Sequence, residues 1–155
     1  MVETCVGFYK NNSKFLFIYR NKKKNDWNKG KYLGIGGHLE AKEDPDSAMK
    51  REFKEETGLD IVELKKLGTV LFKCELNSFE DNLMHVYYID KVQGEMIDDC
   101  NEGILEYHSP EEFFSLPHWE SDDIWIRKVF VAEKFGDLLC KCQGNRVLSI
   151  DTIER

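Results

Sequence analysis

Gly37-His38-Leu39-Glu40-Ala41-Lys42-Glu43-Asp44-Pro45-Asp46-Ser47-Ala48-Met49-Lys50-Arg51-Glu52-Phe53-Lys54-Glu55-Glu56-Thr57-Gly58-Leu59 is the stretch from which this chain is best read. Asp44 followed by Pro45 predicts a helix start. An Asp side chain caps the first amides, and Pro at the first helical position gives up no needed donor. The helix should run to about Thr57, with Gly58 as its stop. Met49 and Phe53 stand four apart and can dock it into a core. Glu52, Glu55 and Glu56 stand at i, i+3 and i+4, so they share another side. Like charges at that spacing repel by roughly 0.2–0.5 kcal/mol per pair. Lys50 and Lys54 relieve part of this. A solvated acidic stripe is the usual meaning of such a run. The alternative is a bound counter-charge. Clustered carboxylate oxygens are hard ligands and suit Mg²⁺ or Mn²⁺. Gly34, Gly36 and Gly37, just ahead, allow close backbone approach and could offer the same ion a carbonyl.

Around this helix the chain reads mostly as strands. Residues 2–9 and 14–20 flank an Asn11-Asn12-Ser13 turn, and 15–19 are all apolar or aromatic, as a buried strand wants. Residues 21–31 form a polar loop, and 32–40 a short glycine-bearing strand. Two long strands follow at 61–75 and 83–92, with a turn at Gln93-Gly94 and a short strand at 103–108. Ser109-Pro110 opens a short helix. A longer one runs from Asp122 to about Lys134. Residues 135–142 and 146–153 close as a hairpin across Gln143-Gly144-Asn145. Strands outnumber helices and the helices are interspersed, so the class is α/β or α+β with a mixed sheet.

Composition sets the outer limits. The 155 residues suit one domain over 1–155. With 41% hydrophobic and 33% charged residues, a disordered chain is excluded. The longest apolar run, Phe15 to Tyr19, is far short of the roughly 18 residues that span a bilayer. No basic start leads into an apolar stretch, so no secretory signal is expected. Cys5, Cys74, Cys100, Cys140 and Cys142 include no C-x-x-C pair. Reduced cysteines in a cytoplasmic protein are expected. The net charge of −7, from 22 basic and 29 acidic residues, argues against long nucleic acid. The charge is uneven. Arg20 to Lys31 carries six basic residues against one acid, and Glu40 to Glu63 nine acids against four bases. That suits a phosphate ligand bridged by metal; two solvated surfaces of opposite sign are the plainer reading.

The quoted stretch resembles the Nudix box, G-x5-E-x7-R-E-U-x-E-E-x-G-U with U apolar. Gly37, Glu43, Arg51, Glu52, Glu55, Glu56 and Gly58 fill all seven fixed positions, and Phe53 and Leu59 the apolar ones. Seven such matches arise by chance below about 10⁻⁸ per starting position. The resemblance implies a mixed β-sheet sandwiched between helices. It also implies hydrolysis of a nucleoside diphosphate linked to another group, with Mg²⁺ (or Mn²⁺) as cofactor. Carried over by position, Glu52, Glu55 and Glu56 are metal ligands or the water-activating base, and the base stays unassigned. The Gly36 carbonyl is a further ligand. Arg51 and Glu43 orient the loop and helix. Glu102 is either a later-loop carboxylate that joins the metal site or an ordinary surface residue.

The flanks resemble the MutT-type branch, which removes oxidised purine nucleoside triphosphates such as 8-oxo-dGTP. Gly30-Lys31-Tyr32-Leu33-Gly34-Ile35-Gly36-Gly37-His38 is similar to G-K-W-x-G-x-G-G-K, with Tyr32 for Trp and His38 for Lys. Leu33 stands where some members use Asn. Pro117-His118-Trp119-Glu120-Ser121-Asp122-Asp123 resembles P-x-W-E-G-D. There the Trp stacks on the purine and the Asp binds its edge. Trp119 and Asp122 inherit those roles, with Asp123 as alternative or helper. Asp122 as a plain helix cap is the competing reading. Phe72 and Met84 either wall the pocket or pack in the core. Arg20 and Lys23 are candidate phosphate partners. Trp27 is a lid or an exposed aromatic, Thr4 a weak match to a first-strand position, and His85 and His108 structural. The implied reaction is attack of water on the β-phosphorus, giving a nucleoside monophosphate and pyrophosphate, in nucleotide-pool sanitation. Alternatives are another nucleotide, such as ADP-ribose or an unmodified dNTP, or a module that senses a nucleotide without cleaving it. No long nucleic acid and no membrane are expected as partners.

Overall fold

The computed structural model describes residues 1–74, 80–143 and 145–153. Glu75, expected at a strand end, and Gly144, expected in the last turn, lie outside them. In chain order the elements are β1 (Val2–Asn11), β2 (Lys14–Tyr19), β3 (Tyr32–Leu33), β4 (Ile35–His38), α1 (Pro45–Thr57), β5 (Asp60–Cys74), β6 (Asn82–Gln93), β7 (Ile104–His108), α2 (Pro110–Ser115), α3 (Asp122–Phe130), β8 (Gly136–Gln143) and β9 (Arg146–Thr152). Among the described residues the strands join in the order β3-β2-β1-β6-β5-β8-β9, with β4 added on β1 and β7 on β2. The pairs β1–β6 and β5–β8 are parallel and the others antiparallel, so the sheet is mixed as expected.

The apolar run of β2 is continuous because both of its faces are covered. Leu16 and Ile18 join Ala48, Met49 and Phe53 of α1 in one core cluster. Phe15 and Phe17 point the other way, to Phe113 of α2 and to Trp125, Ile126 and Val129 of α3. Period-two alternation thus sends each strand's side chains to opposite helical layers.

The α1 helix has the expected bounds. The Asp44 side chain accepts the Ser47 amide, and Pro45 stands at the start. Gly58 adopts φ 82°, a left-handed conformation that side-chain-bearing residues enter only with strain. The single strand expected over 32–40 is two. β3 pairs with β2 and β4 with β1, and the chain changes partner at Gly34. The last helix ends at Phe130, four residues before Lys134. Ala132 takes φ 55°, its carbonyl accepts the Lys65 ammonium, and the Phe135 amide donates to Leu67. Those contacts with β5 pull the chain out of helix and into β8.

The expectation of five reduced cysteines is corrected. Parallel pairing of β5 with β8 puts Cys74 opposite Cys142, and their sulfurs form a disulfide. Cys5, Cys100 and Cys140 are free and buried. The two partners lie 68 residues apart, so no local spacing could have announced the pair. No helix among the described residues is long and apolar enough to cross a membrane.

Candidate functional site

α1 packs against the glycine strand, and the two deliver the site together. Arg51 is its hub. Its Nε and Nη2 donate to the two oxygens of Glu43, at 2.8 and 2.9 Å, a bidentate pair. Nη1 donates to Glu52 at 2.9 Å and to Glu55 at 3.3 Å, and Nη2 also reaches the His38 carbonyl at 3.1 Å. The Arg51 bonds, then the Glu40 amide, hold the Glu43 carboxyl down at about 2. Glu43 in turn raises the affinity of Arg51 for its proton.

The three helix glutamates do not share one environment, as a simple one-sided stripe implied. The Glu55 side chain is 57% exposed. Glu52 is largely sheltered, and burial, against the pull of Arg51, pushes its carboxyl above the usual range. Glu56 lies among the helix's core-facing residues with only 7% of its surface exposed. Burial first, then the charges of Glu52 and Glu102, push it up to about 8, against Arg20 and the Gly36 amide. That amide donates to Glu56 Oε2 at 3.1 Å. Gly37 matters here because a Cβ would stand 2.6 Å from the Glu52 carboxyl carbon. Only glycine lets that carboxylate come down onto the strand.

A divalent cation suits this donor set. Glu52, Glu56 and Glu102 carry hard oxygens within one another's field, and the burial that opposes Glu56 ionisation is what a bound cation offsets. Among the described residues no three ligating side chains already enclose an ion. Mg²⁺ asks for no such cage, since it takes one or two carboxylates and completes its shell with water and substrate oxygens.

The residues expected to read a base lie at the approach to α3, against the 20–31 loop. The indole N–H of Trp119 donates to Asn28 Oδ1 at 2.7 Å. Lys31 Nζ stands 4.2 Å from the centre of the same ring. Trp27, 58% exposed, stacks beside Trp119 at 5.9 Å between centroids and 17° between planes. The plain-cap reading of Asp122 is not met. Ser121 holds the cap position, and no side chain caps the helix there. Asp122 is instead buried, at 8% exposure. Burial raises its carboxyl to about 7, with Asp123 adding and His118 opposing. His118 Nε2 meets Asp123 at 2.7 Å and Nδ1 the Leu116 carbonyl at 2.6 Å.

The remaining candidates divide. Phe72 and Met84 are partly buried against the cluster that contains Trp125, on the α3 side of the sheet. Leu33 packs with the α1 cluster instead, so it is not gathered with them. Exposed His38 lends its carbonyl to Arg51 and pairs across β4–β1 with Thr4. The Thr4 hydroxyl donates to Asn82. Arg20 pairs with Asp26 and Glu102, and Lys23 with Glu102. Partly buried His108 meets Glu106 and Glu112. Buried His85 takes the Lys66 ammonium at Nδ1. Sequence reasoning missed Asn28, Asp26 and His118. Asn28 lies 91 residues from the indole it holds, and nothing local marks it. His118 was legible in principle, as an imidazole beside Trp119 and five residues before Asp123.

A family model described as the NUDIX domain matches residues 2–129. The chain is 26% identical over 135 residues to an oxidized purine nucleoside triphosphate hydrolase of Danio rerio, covering 85% of each chain. It is 26% identical over 113 residues to the protein of the same description from Mus musculus, covering 73% of this chain and 71% of that one. Among solved structures, the mutator MutT protein of Bacillus halodurans superposes with a TM-score of 0.85 at 19% identity, over 97% of both chains. The MutT NUDIX hydrolase from Burkholderia pseudomallei gives a TM-score of 0.68 at 20% identity, over 83% of this chain and 97% of that one. At those identities the structural likeness speaks for the fold. The chain belongs to the NUDIX domain family.

Proposed function

We propose that this protein is a Mg²⁺-dependent pyrophosphohydrolase of oxidised purine nucleoside triphosphates such as 8-oxo-dGTP, releasing the monophosphate and pyrophosphate. The observation that carries the reading is Glu56: a carboxylate buried at the glycine strand, in the field of Glu52 and Glu102, at the end of a box with every fixed letter in place. A structural role alone gives no reason to bury a charge among like charges.

Glu52, Glu56 and the Gly36 carbonyl would hold the ion, with Glu102 adjacent. When bound, the ion supplies charge neutralisation to the phosphates and orients water. Arg51 keeps Glu52 and Glu55 turned toward the site, and Glu43 keeps Arg51 in place through two parallel bonds. The Trp119 face stacks on the base, an interaction of about 1–3 kcal/mol that any base can use. Asp122 adds discrimination. A carboxyl held up near 7 by burial both donates and accepts hydrogen bonds, and a purine edge altered by oxidation presents both kinds of partner. The descriptions of the Danio rerio and Mus musculus relatives support the same substrate class.

The test is pyrophosphate release from 8-oxo-dGTP, 2-hydroxy-dATP, dGTP, dATP and ADP-ribose, with and without Mg²⁺. The reading expects Mg²⁺-dependent turnover with an oxidised purine triphosphate at the head of the panel. ADP-ribose at the head would overturn the substrate class. No turnover of any member would leave a binding module.

A further inference from the structure

We propose that Arg20 is a positioning residue for Glu102, and that Lys23, on the same carboxylate, is the exchangeable cation that passes to substrate phosphate. This rests on the reading above, with Glu102 as a carboxylate of the metal site. Sequence treats the two cations alike; the geometry separates them. Arg20 Nη2 meets Glu102 Oε2 at 2.9 Å, while its Nε donates to Asp26 Oδ2 at 2.7 Å. The Arg20 side chain is 17% exposed and that of Asp26 6%. Asp26 is itself fixed, since its Oδ1 accepts the Asn28 amide at 3.0 Å. A guanidinium shared by two sheltered carboxylates has no ready substitute partner, because releasing either leaves a shielded charge unpaired.

Lys23 differs. It reaches Glu102 Oε1 at 2.7 Å from a side chain 54% exposed. An ammonium on a flexible, solvated stem gives up such a pair at small cost. Glu102 therefore has one anchored oxygen and one that can be released. A triphosphate carries more charge than one carboxylate and draws Lys23 away. Oε1 is then bared within electrostatic reach of Glu52 and Glu56. The same loop holds the base plate, since Asn28 receives the Trp119 indole N–H. One short segment thus registers the stacking plate with the carboxylate cluster.

The experiment measures Mn²⁺ binding to the whole protein by electron paramagnetic resonance, alongside kcat and KM for 8-oxo-dGTP. Outer partners of metal ligands typically contribute about 10–100-fold to metal affinity. Arg20→Lys and Asp26→Asn should each weaken Mn²⁺ by about ten-fold and lower kcat, with KM within about two-fold. Either variant serves if the other fails to fold. Glu102→Gln should weaken Mn²⁺ similarly, and adding Arg20→Lys to it should cost nothing more. Lys23→Ala should raise KM several-fold and leave Mn²⁺ affinity intact. The assignment is overturned if Arg20→Lys raises KM while Mn²⁺ binding is unchanged, or if its effect persists in the Glu102→Gln background. Glu52→Gln separates the layers, because it weakens Mn²⁺ whether or not Arg20 acts through Glu102. A wild type that binds no Mn²⁺ overturns the metal reading and this inference with it.

Discussion

Glu56 and Asp122 are two carboxyl groups that the fold withdraws from water. Glu56 stands among other acids, where a cation would settle it. Asp122 stands at the start of α3, where the carboxyl itself takes the proton. This gives a stability prediction with a definite sign. The Asp122 carboxyl has a folded value of about 7, against 3.8 as the ordinary value. Between those pH values the unfolded chain has released the proton and the folded one keeps it. Stability from this group is therefore present below about pH 4 and is lost as pH rises to about 7. Asn cannot ionise. Asp122→Asn should gain stability relative to wild type across that window, by on the order of 2–4 kcal/mol, and then level off. Urea unfolding at pH 4, 5.5 and 8 measures it; a difference that stays flat with pH contradicts the burial. Asn28 supports a second prediction. Removing its bond to Trp119 by Asn28→Ala should raise KM for 8-oxo-dGTP about five-fold with kcat nearly unchanged, since one hydrogen bond is worth about 1 kcal/mol. Equal KM values would mean that the indole needs no such anchor. At this scale Trp119 and Asp122 were legible as letters of a motif. Asp26 and Asn28 were not, because a loop residue's partner is chosen by the fold.

The α1 helix and the α3 helix separate local from tertiary information. Start and stop of α1 are written in side chains that act on their own backbone, Asp44 at one end and Gly58 at the other. The reading of α1 therefore agrees with the structure at both ends. Asp44→Ala should cost about 1 kcal/mol of stability, the usual worth of such a cap. Gly58→Ala should cost about 1–2 kcal/mol, because φ stays near 82° and the added Cβ would meet Ile97 at 2.6 Å. Chemical denaturation reads both, and two neutral results would deny that these residues end the helix. The end of α3 was overrun because nothing local stops it. No Pro or Gly stands between Asp122 and Phe135; the helix ends where Ala132 takes a left-handed turn, closed by the Ala132 and Glu133 amides on the Val129 and Lys128 carbonyls and tied to β5 through Lys65 and Leu67. The single strand expected at 32–40 failed for a related reason. Strand propensity does not say that the two sides of Gly34 pair with different partners.

Across the whole molecule the mixed sheet was readable from alternation and element order, and its place between helical layers from the resemblance to the Nudix box. The cross-strand link was not, because parallel pairing joins residues distant in sequence. The Cys74–Cys142 disulfide predicts that protein denatured without reductant shows three reactive thiols, and five after reduction. Closing a loop of that length stabilises by about 2–4 kcal/mol, so Cys142→Ser should lower unfolding stability by a similar amount. Five thiols before reduction would remove the link.

Under the proposed function the labour divides, with chemistry at α1 and the glycine strand and base selection near α3. One measurement tests that division most directly: kcat/KM for 8-oxo-dGTP and for dATP in wild type, Glu56→Gln, Trp119→Ala and Asp122→Asn, all with Mg²⁺. Glu56→Gln should lower both substrates together by about a hundred-fold or more, because it removes a group of the reaction itself. Asp122→Asn should change the ratio of the two substrates by about ten-fold, the usual worth of one polar interaction in a buried site, while Trp119→Ala should lower both together, since stacking serves any base. A ratio that holds constant through all three folded variants, or Glu56→Gln turning over at the wild-type rate, would contradict the account.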